Sequence, residues 1–259
     1  MIYFKYLAMN LKMVLEYRLS AWLVALGQLF STLFWYLSIV LLFARFDNLL
    51  GWTFAEVSIC FAVTSIAFAL AECFARGFDT FSGLVIRGEF DRILLRPRNS
   101  LIQVLGSKTE ITRFGRVLIT VCILGVVIPK SGIIWTASKV LTLIFMIFGG
   151  AAVFIGIFIL GAVVCFFTLE GLEVINIFTD GGRELASYPL PVYSKWIRRF
   201  FTFIIPLGCV NYLPLMYLTG RAEAHPGLYM LSPLLGFIFL IPCALAWKQG
   251  VRHYASSGS

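Results

Sequence analysis

Apolar runs of roughly 20 residues, the length that crosses a bilayer core as a helix, recur along this chain with polar residues gathered in the gaps. The first run occupies 20–43 and the second 56–78, joined by a short turn holding Arg45 and Asp47. The third covers 114–129, the fourth 140–169 and the last 228–247. Between the second and third lies the longest polar connection, 79–113. The pattern predicts an all-α, polytopic membrane protein of about six transmembrane helices. All of it, 1–259, reads as a single transmembrane domain with no internal repeat.

Two stretches do not fit the simple pattern. In 1–18, Lys5, Lys12 and Glu16 fall on one side of a helix and Phe4, Leu7, Leu11 and Leu15 lie elsewhere around it, which predicts an interfacial helix ahead of the first span. The run that follows is too long for the apolar core of a cleavable signal. In 170–227, Glu170, Glu173, Asp180, Arg183 and Glu184 interrupt what would otherwise be a span. A charge at the bilayer centre costs about 2.5–3.5 kcal/mol, so five facing lipid would approach ~15 kcal/mol. Either 170–195 is cytoplasmic and 196–218 is the fifth span, or 170–188 is the fifth span and 192–220 is a re-entrant helical pair.

Lys and Arg counts set the orientation. Lys5, Lys12 and Arg18 precede the first span, and Arg87, Arg92, Arg96, Arg98, Lys108 and Arg113 follow the second, against Arg45 alone in the intervening loop. Both termini and the 79–113 loop are therefore expected in the cytoplasm. The same count, through Lys195, Arg198 and Arg199, favours 196–218 as the fifth span.

Composition supports the class and removes others. The chain is 60% hydrophobic and 13% charged, against about 25% charge in soluble domains. The net charge of +8 lies mostly between apolar spans, where it suits anionic lipid headgroups and not nucleic acid. Six cysteines stand singly, mostly inside apolar runs, and read as small packing residues. With two histidines and neither H-E-x-x-H nor G-x-S-x-G, no catalytic or metal site is expected. Gly106-Ser107-Lys108-Thr109 lacks the spacing of a phosphate-binding P-loop, so no ATP site is expected here.

Three motifs carry a resemblance. Gly88-Glu89-Phe90-Asp91-Arg92-Ile93-Leu94-Leu95-Arg96-Pro97 resembles the G-E-L-D-x-x-L-L-R-P signature of a subgroup of ABC-2 type permeases, with Phe90 where Leu is commoner and Arg98 after the proline. Gly181-Gly182-Arg183-Glu184-Leu185 leading to Ser187-Tyr188-Pro189 is the second. Phe203-Ile204-Ile205-Pro206 with Val210-Asn211-Tyr212-Leu213-Pro214 is the third. Their order and spacing match that subgroup over essentially the whole chain.

The resemblance implies the membrane subunit of an ATP-driven exporter in a bacterial inner membrane. It would pair with a second permease, identical or related, and with two ABC ATPase subunits that carry the ATP and Mg. This chain would bind no cofactor and catalyse nothing. The 79–113 loop would hold a coupling helix that docks on the ATPase through Glu89, Phe90, Asp91, Arg92, Leu94 and Arg96. An apolar ridge of Phe90, Ile93 and Leu94 with a charged rim suits such docking. The family pattern also favours the re-entrant reading of 192–220, through Pro191, Trp196 and 206–214, against the charge count.

Glu170, Glu173, Asp180 and Glu184 are spaced to share one helix face. Turned toward the permease interface, with Arg183 neutralising part of the charge, they would line a path for cationic or amphiphilic compounds. Tyr188 and Trp196 would add cation–π contacts. An ion-coupled secondary transporter using Glu72, Arg76 or the same acids is the alternative from another class; a membrane scaffold without transport is a third.

Overall fold

The structure is a computed structural model that describes residues 2–168, 172–222 and 225–254. Among them there is no strand, only an isolated bridge between Leu49 and Trp52. Helix α1 (Ile2–Glu16) runs through Tyr17 into α2 (Arg18–Arg45), and the Leu49–Trp52 turn leads to α3 (Phe54–Asp79). Three short helices, α4 (Phe81–Ile86), α5 (Glu89–Leu94) and α6 (Ser100–Ser107), fill the long polar connection. Next come α7 (Phe114–Val127), α8 (Ala137–Val164), α9 (Leu172–Ala186) and α10 (Lys195–Phe203). Then a π-helical turn (Gly208–Tyr212), α11 (Leu213–Leu218), α12 (Pro226–Leu231) and α13 (Leu235–His253) complete the described chain.

Among the described residues, five helical stretches are long and apolar enough to cross a membrane: Arg18–Arg45, Phe54–Ile86, Ile111–Lys130, Ala137–Val164 and Pro226–His253. The pair Lys195–Phe203 and Gly208–Leu218, bent by 85°, makes a sixth if it is counted as one span. The expected spans thus fall where the apolar runs are, with shifted ends. The fourth span stops at Val164, five residues short of the expected 169.

Helix α3 is the centre of the bundle, packed against α8, α7 and α2. It starts cleanly because Thr53 and Glu56 cap it reciprocally: the Glu56 N–H donates to the Thr53 hydroxyl, and the Thr53 N–H to the Glu56 carboxylate at 2.8 Å. Its lower end bends at Ala75, whose backbone leaves the helical region. Helices α8 and α13 approach backbone to backbone. A Cβ on Gly236 would sit 2.2 Å from the Gly149 carbonyl, so only glycine fits.

Two apolar clusters fill the two ends of the bundle. Trp52, Val57, Ile123, Met146 and Leu215 lie at the end of the Leu49–Trp52 turn. Phe78, Phe81, Phe90, Phe158 and Trp247 lie at the opposite end, beside the 79–113 connection and its many basic residues; we call this the basic end.

In the 170–220 region the described residues form α9, α10, the π turn and α11. Among the described residues helix α9 runs for 15 residues. It stops at Ala186, where the carbonyl accepts hydrogen bonds from Thr64, midway along α3, and from the Asn211 amide. Pro189 and Pro191 follow and forbid further helix. In the π turn, Pro214 has no N–H to give the Val210 carbonyl, which widens the helix locally.

Candidate functional site

Two sets of residues stand out, and both belong to the basic end. The first is the coupling segment. Gly88 sits at φ 65°, a left-handed turn natural to glycine, and reverses the chain into α5. Glu89 and Asp91 lie in the first turn of α5, where the helix dipole favours negative charge, and Arg87 Nε donates to Glu89 at 2.8 Å.

Phe90 corrects the expected ridge. It is fully buried and stacks edge-on against Phe81 and Tyr254, with Phe166 and Trp247 completing the aromatic box. Phe90 therefore holds α5 against α13 and the turn just past α8, and its ring is turned inward. Ile93 packs partly against the same core. The exposed apolar side chains are Leu94 (40%) and Leu95 (84%); Leu95 was not among the expected docking residues. Arg92 and Arg96 are exposed beside them, and Arg96 Nη1 donates to the Tyr6 hydroxyl of α1 at 2.9 Å.

The second set is a buried charge network that fixes the end of the polar connection to the spans. Glu72 on α3 is the hub. One carboxylate oxygen takes Arg76 and Arg113, each at 3.2 Å; the other takes Arg116 at 2.8 Å. Arg116, on α7, also donates to Gln28 of α2 at 2.7 Å. Arg76 reaches Asp79 at 2.6 Å and Glu110 at 3.4 Å, and Arg113 holds Glu110 at 2.8 Å. Burial alone would push the Glu110 carboxyl up, but Arg76, Arg113 and Lys108 more than offset that and hold it below its ordinary value.

Three helices and the end of the polar connection thus meet at three guanidiniums and three carboxylates. The cause is local: acid and base three or four residues apart on α3 and again at Glu110–Arg113 pair along a helix face. Sequence reading noted Glu72 and Arg76 only as ion-coupling candidates, and it missed Asp79, Glu110, Arg113, Arg116 and Gln28 as a group. The i, i+3 and i, i+4 spacings were the available signal. Glu72 is committed to three guanidiniums, which leaves it poorly placed to carry ions.

Of the expected path residues, Glu170 lies outside the described residues, and so does the side chain of Glu173. Asp180 is largely exposed, at 63% of its side chain. Arg183 pairs with Glu184 at 2.7 Å and with Asp180 at 3.8 Å. Its guanidinium also sits 5.1 Å above the Phe68 ring, and that of Arg116 lies 5.6 Å from the same ring. Phe68 therefore bridges the charges of α7 and α9. Arg116, Arg183, Glu184, Ser31, Thr32 and Ser65 line a cavity of about 20 Å³, room for one water. Tyr188 is part of the core packing, whereas Trp196 is 79% exposed on α10.

The model of the family described as "ABC-2 family transporter protein" matches residues 29–258, nearly the whole chain. The chain belongs to the ABC-2 transporter family. This ABC-2 permease is a multi-pass membrane component of an ABC transporter, a class that works with ABC ATPase components. No curated relative and no solved structure matches the chain. The match includes α5, the bent pair and every charged residue of the network.

Proposed function

We propose that this ABC-2 permease is the transmembrane subunit of a bacterial inner-membrane exporter, driven by two ATPase subunits that bind ATP and Mg and paired with a second permease. The basic end faces the cytoplasm, and Glu89, Asp91, Arg92, Leu94, Leu95 and Arg96 meet the ATPase. The observation that carries this reading is the pairing of an exposed Leu94–Leu95 tip with a rigid mount. Phe90 ties that tip to Phe166 just past α8 and to Trp247 of α13, while the Glu72 network ties the end of the same connection to α3 and α7. A push on the tip is then delivered to the spans, as a rigid lever requires.

Residues 192–220 form a re-entrant pair at the far end. In support, Tyr193 lies within electrostatic reach of Cys60 in the second turn of α3, and Arg221 bonds to Glu56 and Gly51. Both flanks of the pair therefore approach the same end of α3. Cationic amphiphiles are the proposed cargo, with the exposed Asp180 as the acid offered to them and Glu184 held by Arg183.

The test compares two aspartate variants in the complex with its ATPase. Leu94→Asp with Leu95→Asp is expected to insert and fold normally yet lose transport and substrate-stimulated ATP hydrolysis together. Phe90→Asp is expected to lose the folded protein itself, because it buries a charge in an aromatic box. Full transport by the Leu94/Leu95 variant would refute the docking assignment.

A further inference from the structure

A groove of about 420 Å³ lies between α1 and the turn after α5, lined by Lys5, Tyr6 and Met9 on one side and Arg96, Pro97 and Arg98 on the other. Its walls are positioned independently of any partner. The α1 side is held because Tyr3 donates to the Phe74 carbonyl at 3.0 Å and because Gly106 on α6 leaves room for the Tyr3 and Tyr6 rings. On the other side, buried Gln103 donates to the carbonyls of Ile93 and Arg98 and fixes the turn. Among the described residues, Lys5, Arg96 and Arg98 have no carboxylate partner, although the charge network nearby pairs its guanidiniums several times over.

We infer that this groove binds the phosphate headgroup of an anionic phospholipid, with Lys5, Arg96 and Arg98 around the phosphate and Met9 and Pro97 against the glycerol and upper acyl chain. Arginine forks match phosphate oxygens, and lysine adds a mobile charge. Basic pockets at the membrane surface beside spanning helices are suited to lipid headgroups. The amphipathic α1, with Met9 and Met13 exposed one turn apart, places the groove at that surface. The lipid would bridge the interfacial helix and the coupling segment, so membrane charge would bear on how firmly that segment is held.

The experiment uses the purified full chain without ATPase subunits, so its outcome is independent of the proposed function. Retention of phosphatidylglycerol against phosphatidylcholine is read by native mass spectrometry from mixed micelles. The expected result is preferential retention of phosphatidylglycerol, weakened roughly 30-fold by Lys5→Gln with Arg98→Gln, as two surface cations are removed. A matched control, Lys12→Gln with Lys248→Gln, loses the same charge away from the groove and is expected to retain the lipid. Equal loss in the control, or equal retention of the two lipids, would overturn the inference. So would full displacement of the lipid by millimolar inorganic phosphate, which would assign the groove to a free anion. Unchanged lipid retention in the groove variant would equally overturn it.

Discussion

Helices α2 and α3 are both long, apolar and consecutive, yet only 11% of the apolar window of α2 is buried within the chain against 89% of that of α3. Their side chains explain the difference. Buried nearly all round, α3 sets Ser58, Ala62, Thr64, Ser65, Ala67, Ala71 and Ala75 among its larger Ile, Val and Phe side chains, and these small residues let neighbouring backbones approach. By contrast α2 turns out Trp22, Leu23, Phe30, Phe34 and Leu41. Inside a bilayer, bulk hydrophobicity does not draw a helix to the protein centre, because lipid is as apolar as leucine. Small and polar residues do, through close packing and satisfied hydrogen bonds. The comparison teaches that apolarity alone does not place a span at the centre; small and polar side chains do.

The largest effect is expected where α3 carries its charge. Glu72→Ala leaves three guanidiniums without their hub and should cost about 3–5 kcal/mol, the range for breaking a buried ion pair. Equilibrium unfolding in mixed micelles measures it. A loss below about 1 kcal/mol would mean the network behaves as a surface feature, and α3 would not be the anchor that its burial implies.

Overpacking tests the small-residue face next. A Cβ on Gly150 would already approach Ala67 at 2.9 Å, so Ala67→Leu should destabilise by about 1–3 kcal/mol in the same assay. Tolerance of leucine there would break the argument from close approach.

Acid should loosen the edge of the network. Glu110 is held below its ordinary value by Arg76, Arg113 and Lys108 despite burial. Its contribution is therefore present above the unfolded carboxyl value, about 4.3, and is lost as pH falls through the lower folded value. Glu110→Gln should lower stability at neutral pH and reduce the further loss on going below about pH 4. Parallel acid curves for the two proteins would remove Glu110 from the account.

The smallest effect belongs to α2. Phe34 is 75% exposed, and Phe34→Ala should change the stability of the isolated chain by no more than about 0.5 kcal/mol. If the same variant loses a second permease on size-exclusion chromatography, the exposed face of α2 is covered by protein and not by lipid.

Much of this was open to reading along the chain. Span positions follow from apolar runs that must hide about 20 residues each from water, and α5 follows from Gly88, its acidic first turn and Pro97. The family was legible in the same motifs. Phe90 was misjudged for a physical reason: an aromatic residue in a polar loop can anchor a partner or the loop itself, and spacing within six residues cannot separate the two. Its neighbours in space, Phe166, Trp247 and Tyr254, lie some 75 to 165 residues away in the chain.

The sequence alone determined that this chain is an all-helical membrane protein, where its long helices run, and which family it joins. Those properties rest on local composition, on the length of apolar runs and on ordered motifs. Tertiary structure alone decided which span is central, that Glu72 gathers Arg76, Arg113 and Arg116, and that α9 ends beside Thr64 and Asn211. Charge pairs across helices depend on how backbones rotate and cross. Hydropathy along one strand of sequence carries no record of that rotation, because in lipid every apolar face is acceptable until small residues and hydrogen bonds choose one.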